Sequence, residues 1–261
     1  MIYVARRTGT AGLACVLIAV AVGLAGCGGS TRTVSGSAPA ASASTTRAAP
    51  TPTSVQVVRC HTTFGVTPGK LTLPSRVRVY GAAPSAASHL VAYTNTEMFL
   101  IGPAGMACSG IVAADGGSQI TVWSIGKAAP ARHSAGEGLT LTLDPACASC
   151  RADDACPFFR SFAAGLGFPC TSGVSAGERV DRLSSQVVYF TDAPGLAGDG
   201  WPSGGYFPAD GLAGIRGSAT SGTVFRTTCT LPMAKSAVCA ISLLNVLRSY
   251  ATPSAKGARR P

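Results

Sequence analysis

Gly110-Ile111-Val112-Ala113-Ala114, then Asp115-Gly116-Gly117, then Gln119-Ile120-Thr121-Val122-Trp123: this stretch decides how the chain folds. Two apolar runs flank an Asp-Gly dipeptide, and glycine accepts the positive φ that a tight turn demands. The unit reads as an antiparallel hairpin. Short alternating runs around it extend the sheet: Val55 to Val58, Val77 to Tyr80, Leu90 to Tyr93 and Val187 to Phe190, with Leu139 to Leu143 a further strand stopped by Pro145. Period-two alternation is the pattern of strands with one face buried.

Helical signals are fewer. Phe158 to Leu166 has the length of a short helix, ended by Gly167 and Pro169. Between Met233 and Tyr250, apolar residues recur at three- and four-residue spacing (Ala240, Leu243, Leu244, Leu247, Tyr250), the stripe of a helix packed on a core. Pro232 suits its first position, where the missing N–H costs nothing. Pro194 to Gly222 is rich in Gly, Ser and Pro, and Asp199-Gly200 and Asp210-Gly211 are expected to mark turns there. The expected class is α+β, a mostly antiparallel sheet with a C-terminal helix, stapled by disulfides.

The staples come from cysteine arithmetic. The chain has ten cysteines. Cys15 and Cys27 lie in a leader-like segment, which leaves eight: Cys60, Cys108, Cys147, Cys150, Cys156, Cys170, Cys229 and Cys239. An even set in an exported domain reads as disulfides, although eight cysteines allow about 105 pairings and sequence does not choose among them. Cys229 and Cys239, at the two ends of a turn and helix start, suit a local bridge.

The leader is legible in the same way. Arg6 and Arg7 precede an apolar run from Ala11 to Gly26, shorter than the about 20 residues of a membrane span. A basic start, an apolar middle and small residues at the end describe an export signal. Leu24-Ala25-Gly26-Cys27 resembles the lipobox of bacterial lipoproteins. That resemblance implies a diacylglyceryl group on the Cys27 thiol, cleavage just before it, and palmitate-type chains holding the protein to the outer face of a membrane. Each buried methylene contributes about 0.8 kcal/mol to such an anchor.

The organisation expected is therefore a signal peptide over 1–26, lipidated Cys27 with a linker to residue 55, one disulfide-rich domain over 56–250, and a basic tail over 251–261. The linker is almost entirely Gly, Ser, Thr, Ala, Pro and Val, a composition that does not offset the entropy of ordering. Its span is about 30 Å by flexible-chain statistics. The formal charge of +10 belongs largely to the ends. Seven of the 21 basic residues lie outside 56–250, so 14 face 11 acidic ones there, a net +3. With no basic cluster interleaved with aromatics, nucleic acid is not an expected partner.

Three stretches look familiar together: Ile101 to Cys108 running on to Gly116; Cys147-Ala148-Ser149-Cys150 with Cys156-Pro157-Phe158-Phe159; and Val187 to Asp192 through Pro202-Ser203-Gly204-Gly205 to Cys229-Thr230-Leu231-Pro232 and Cys239. They resemble secreted lipoproteins of actinobacteria, of the mycobacterial type, a family with no known activity. The resemblance supports export and implies no chemistry.

No catalytic set emerges. Cys147 and Cys150 have the C-x-x-C spacing of dithiol exchange, which needs a low-pKa thiolate at a helix N-terminus. The same spacing serves zinc, but no His follows at ligand distance, and no metal or cofactor is expected. His61, His89 and His133 are scattered, and Ser203 is an ordinary loop serine. Gly198 and Gly200 do not continue into a dinucleotide fingerprint. Asp153 and Asp154 fall on what reads as a cysteine-rich loop, and Glu178 and Asp181 alternate with Arg179 and Arg182 as a charged surface face.

The expected function is accordingly a non-enzymatic envelope domain that binds a wall polymer or an envelope protein. Trp201, Tyr206 and Phe207 in the glycine-rich loop are the expected binding surface. The alternatives are a thiol-disulfide oxidoreductase using Cys147 and Cys150, or a hydrolase whose residues converge only in space.

Overall fold

The structure is a computed structural model that describes residues 51–65, 67, 72–125, 137–171, 173–174, 176–193, 197–198, 201–202, 209–217 and 222–251. The segment read as a signal peptide, Cys27 and most of the stretch read as a linker lie outside these residues. So do His133, Ser203, Tyr206 and Phe207. The first described strand starts at Thr53, three residues ahead of residue 56.

Fourteen strands form among the described residues. They are β1 (Thr53–Arg59), β2 (His61–Phe64), β3 (Arg76–Val79), β4 (Leu90–Thr94), β5 (Phe99–Pro103), β6 (Ala107–Val112) and β7 (Ser118–Trp123), then β8 (Gly138–Asp144), β9 (Arg179–Ser184), β10 (Val187–Asp192), β11 (Ala197–Gly198), β12 (Trp201–Pro202), β13 (Ala209–Arg216) and β14 (Thr223–Thr230). Four α-helices accompany them: α1 (Pro84–Ala87), α2 (Ala148–Ala155), α3 (Arg160–Gly165) and α4 (Ser236–Val246).

The strands make a four-stranded sheet in the order β3-β1-β4-β5, an eight-stranded sheet in the order β2-β6-β7-β8-β14-β13-β10-β9, and the small β11-β12 pair. All pairings are antiparallel except β1 with β4 and β2 with β6. The expected α+β architecture, with its C-terminal helix and four disulfides, is what forms.

The opening hairpin pairs as its sequence dictates, Gly110 opposite Ile120 and Val112 opposite Ser118. Gly116 sits in its turn at φ +83°, where a side chain would be strained. Asp115 Oδ1 accepts the Gly117 N–H at 3.0 Å and closes the turn. Along β8 the alternation is strict: Leu139, Leu141 and Leu143 point to one face, Thr140, Thr142 and Asp144 to the other. The leucines join Ile120, Val122, Phe225 and Leu212 of the large sheet, Val91, Tyr93 and Leu100 of the small sheet, and Leu243 and Val246 of α4 in one core. The two sheets thus pack face to face.

The chain crosses between them at Cys60. β1 lies in the small sheet and β2 in the large one, with Cys60 between them donating its N–H to the Thr94 carbonyl at 2.8 Å. The Cys60–Cys108 disulfide pins this corner to β6. Asn95, fully buried in the β4–β5 turn, ties the sheets a second time. Its Nδ2 donates to Ser118 Oγ at 2.7 Å and to the Gln119 carbonyl at 3.0 Å, while Oδ1 accepts the Glu97 and Met98 N–H groups at 3.2 Å.

The large sheet also buries its other face. There Val188, Phe190, Ala213, Ile215 and Val224 meet Ala155 of α2, Phe162 of α3, and Phe158 and Phe159 from the link between them.

Four expectations are corrected. Asp210-Gly211 is not a turn: both residues lie inside β13, because a Cβ at position 211 would overlap the Phe190 ring that packs across it from β10. Asp153 and Asp154 lie in helix α2, not in a loop. Pro232 is not the first helical residue; it is extended, at ψ 146°, and precedes a 3-10 turn over Met233–Lys235, with α4 starting at Ser236. The C-terminal stripe holds from Leu243 through Leu247 to Tyr250, which pack on the central core, and fails only at its first position, Ala240. α4 is buried on two sides, Ile241 in a cluster with the small sheet and Leu243 and Val246 in the central core, leaving Ala240 exposed. Elsewhere, α3 falls inside the expected 158–166 segment, and β9 carries the expected charged face, with Arg179 and Asp181 paired at 3.1 Å.

Candidate functional site

All eight core cysteines are paired: Cys60 with Cys108, Cys147 with Cys150, Cys156 with Cys170, and Cys229 with Cys239. The suggested local bridge between Cys229 and Cys239 forms, linking β14 to α4. Cys156–Cys170 fastens the end of α2 to the segment after α3.

The Cys147–Cys150 pair is built differently. β8 ends at Asp144, Pro145 follows, and Cys147 becomes the N-cap of α2 with extended backbone (φ −62°, ψ 108°). Its Sγ accepts the Cys150 N–H at 3.1 Å, satisfying one of the donors that every helix start leaves unpaired. Ser149 Oγ lies 3.5 Å from the same sulfur. Both cysteines are half-buried. Across from them stands the tip of the β6–β7 hairpin, where an exposed Asp115 carboxylate oxygen comes within 4.8 Å of the two sulfurs. Tied to each other, the sulfurs offer no thiolate to a cation, and the positive end of α2 opposes one.

A second feature lies on the outer face of the large sheet. Phe158 and Phe159, between α2 and α3, form the floor of a cleft of about 550 Å³, with Phe162 and Ile215. Phe158 stacks on Phe190 with centroids 5.0 Å apart. Beneath, the buried Arg226 guanidinium lies 5.7 Å from the Phe158 centroid and 5.4 Å from that of Phe190. At the rim, Arg182 from β9 lies 5.7 Å from the Phe159 centroid and donates to the Phe158 carbonyl at 3.2 Å. Arg160 and Gln186 complete the rim, and among the described residues no carboxylate lines the cleft. The volume is within the roughly 300–1,000 Å³ of small-molecule sites, and an apolar floor with few polar groups is their usual lining.

A smaller groove of about 310 Å³ runs between α4 and the large sheet, lined by Leu183, Leu212, Leu243, Leu244 and Leu247. At its edge the Tyr189 hydroxyl donates to Asp210 Oδ1 at 2.9 Å. Burial, and then this carboxylate, push the Tyr189 hydroxyl pKa up.

Of the expected binding surface, the backbone of Trp201 lies in β12, paired with β11; Tyr206 and Phe207 fall outside the described residues. The aromatic cleft was not singled out as a site in the sequence. Its signal was the Pro157-Phe158-Phe159 run, but the partner Arg182 lies 24 residues from Phe158 in the chain. Two of the three histidines lie among the described residues. His61 and His89 are exposed, and neither imidazole hydrogen-bonds a serine or a carboxylate. No family model matches the chain, and no curated protein or solved structure matches it significantly.

Proposed function

We propose that this chain is an exported lipoprotein, held by lipid at Cys27 to the outer face of a bacterial membrane, whose folded domain binds a ligand without transforming it. The observation that carries the binding reading is the cleft beneath Arg182: an aromatic floor, two arginines at its edge and, among the described residues, no acid in its lining. That lining suits an anion attached to an apolar or planar body, as an envelope polymer or envelope protein would present it. Arg guanidinium supplies forked donors for carboxylate, phosphate or sulfonate, and the rings supply the apolar contact. Complete pairing of the eight core cysteines supports an oxidising, extracytoplasmic address.

The test uses the mature chain and 1-naphthalenesulfonate as probe, with 1-naphthalenemethanol as its neutral counterpart, by titration calorimetry. The anion is expected to bind and the alcohol to bind at least tenfold more weakly. Arg182→Ala should weaken the anion about 10- to 100-fold, the worth of a hydrogen bond to a charged group. Equal affinity for both probes, or none for either, refutes the ligand chemistry. Lipidation is tested separately: acyl-chain labelling of the expressed protein should vanish in Cys27→Ser.

A further inference from the structure

Three of the four disulfides join separate elements. Their sequence separations are 48, 14 and 10 residues, and each includes at least one buried cysteine. Cys147 and Cys150 are 3 apart, so their bond links the first turn of α2 only to its own cap. So short a loop removes the least freedom from the unfolded chain. The turn is in any case held by the Arg151 N–H bonded to the Cys147 carbonyl at 2.9 Å. Scaffold stabilisation is therefore the weakest account of this bridge.

We infer that Cys147–Cys150 is a thiol–disulfide exchange site that takes two electrons from a dithiol polypeptide. A substrate thiolate attacks Cys147 Sγ, the Cys147–Cys150 bond breaks, and Cys150 leaves as a thiolate that is then protonated. The substrate's second thiolate attacks its own sulfur in the mixed disulfide and releases Cys147. The products are a substrate disulfide and a reduced Cys147/Cys150 pair, with two electrons and two protons transferred. Exchange with a second, low-molecular-weight disulfide resets the pair. This activity is independent of ligand binding in the arginine cleft.

Three features favour that direction. A Cys147 thiolate would keep the Cys150 N–H, now 3.1 Å from its sulfur, and would stand at the positive end of an eight-residue helix. A stabilised reduced form makes the disulfide the stronger oxidant. Both cysteines are half-buried rather than sealed in the core, so a thiolate can reach them. The Asp115 carboxylate within 4.8 Å works against the thiolates by like charge and moderates the effect.

The experiment equilibrates the mature chain in graded reduced and oxidised glutathione, alkylates free thiols and locates them by mass spectrometry. Cys147 and Cys150 should open first, while the other three bridges stay closed. The oxidised chain should convert one equivalent of a synthetic two-cysteine peptide to its disulfide. Reduced Cys150→Ser should capture the disulfide form of that peptide on Cys147. Asp115→Asn should move the pH profile of Cys147 alkylation to lower pH and make the pair easier to reduce, since a carboxylate near the sulfurs disfavours the thiolates. Opening of this pair together with or after the others overturns the inference, as does undiminished peptide oxidation by the Cys147→Ser, Cys150→Ser double variant. Should the variants fail to fold, the titration of the unmodified chain decides alone.

Discussion

Replacing Cys60 and Cys108 together by alanine removes the bond that pins the corner where the chain passes from the small sheet to the large one. With a separation of 48 residues, the bridge restricts a long loop of the unfolded chain, worth about 4 kcal/mol by loop-closure entropy. Cys60 is only 4% exposed, so losing its sulfur also leaves a small void, adding up to about 1 kcal/mol. The control is Cys147→Ala with Cys150→Ala, whose separation of 3 gives about 2 kcal/mol by the same reasoning. Urea unfolding followed by far-UV circular dichroism separates the two. With a slope of about 2 kcal/mol per molar, the first variant should lower the midpoint by about 2 M and the control by about 1 M. A control as damaging as the Cys60 and Cys108 variant would refute the reasoning. It would mean that native-state contacts, and not freedom of the unfolded chain, set the worth of these bonds.

Asn95→Ala should cost at least about 3 kcal/mol in the same urea assay, because it strands buried donors and acceptors on both sheets at once. Gly211→Ala should cost about 1–3 kcal/mol and perturb the Phe190 signals in a side-chain NMR spectrum, since the added methyl meets that ring. Burial, partly offset by Arg216, pushes the Tyr250 hydroxyl pKa up to about 12 from 10.0. The folded state therefore keeps a proton that the unfolded state releases. Its contribution is intact below pH 10 and is lost as pH rises towards 12, at about 1.4 kcal/mol per pH unit. Tyr250→Phe should flatten that part of the stability profile without abolishing it, because burial also raises Tyr93 and Tyr189.

What the sequence disclosed, it disclosed through local pattern. The Leu-Thr-Leu-Thr-Leu run of β8 and the Asp115-Gly116-Gly117 turn carry their own geometry, so strand and hairpin were readable without knowing what lay opposite. Asp210-Gly211 has the same turn chemistry, yet it is strand. There a ring from a neighbouring strand needs the space that only glycine leaves, and no local signal records that ring. Helix α2 was hidden because Ser, Cys and two Asp give it weak intrinsic propensity. Packing decides instead, with Ala152 and Ala155 fully buried. The parallel pairing of β1 with β4 and the choice among disulfide pairings are long-range facts, which spacing along a chain does not encode. The same holds for the candidate sites. The C-x-x-C spacing was visible, but its position at a helix start opposite Asp115 was not. The arginine cleft draws on α3, β9 and β13, whose local signals were visible one by one but whose convergence was not.

The corner at Cys60 also governs how the domain would respond to a pull on its N-terminal side. Tension arriving ahead of Thr53 enters β1, which is hydrogen-bonded on both flanks, to β3 and to β4. Such a strand has to slide past two partners together and does not unzip from one. If it slides, extension stops at the sixtieth residue, where the covalent link to β6 hands the load to the large sheet. A domain so built tolerates tension from that side by yielding one strand at most.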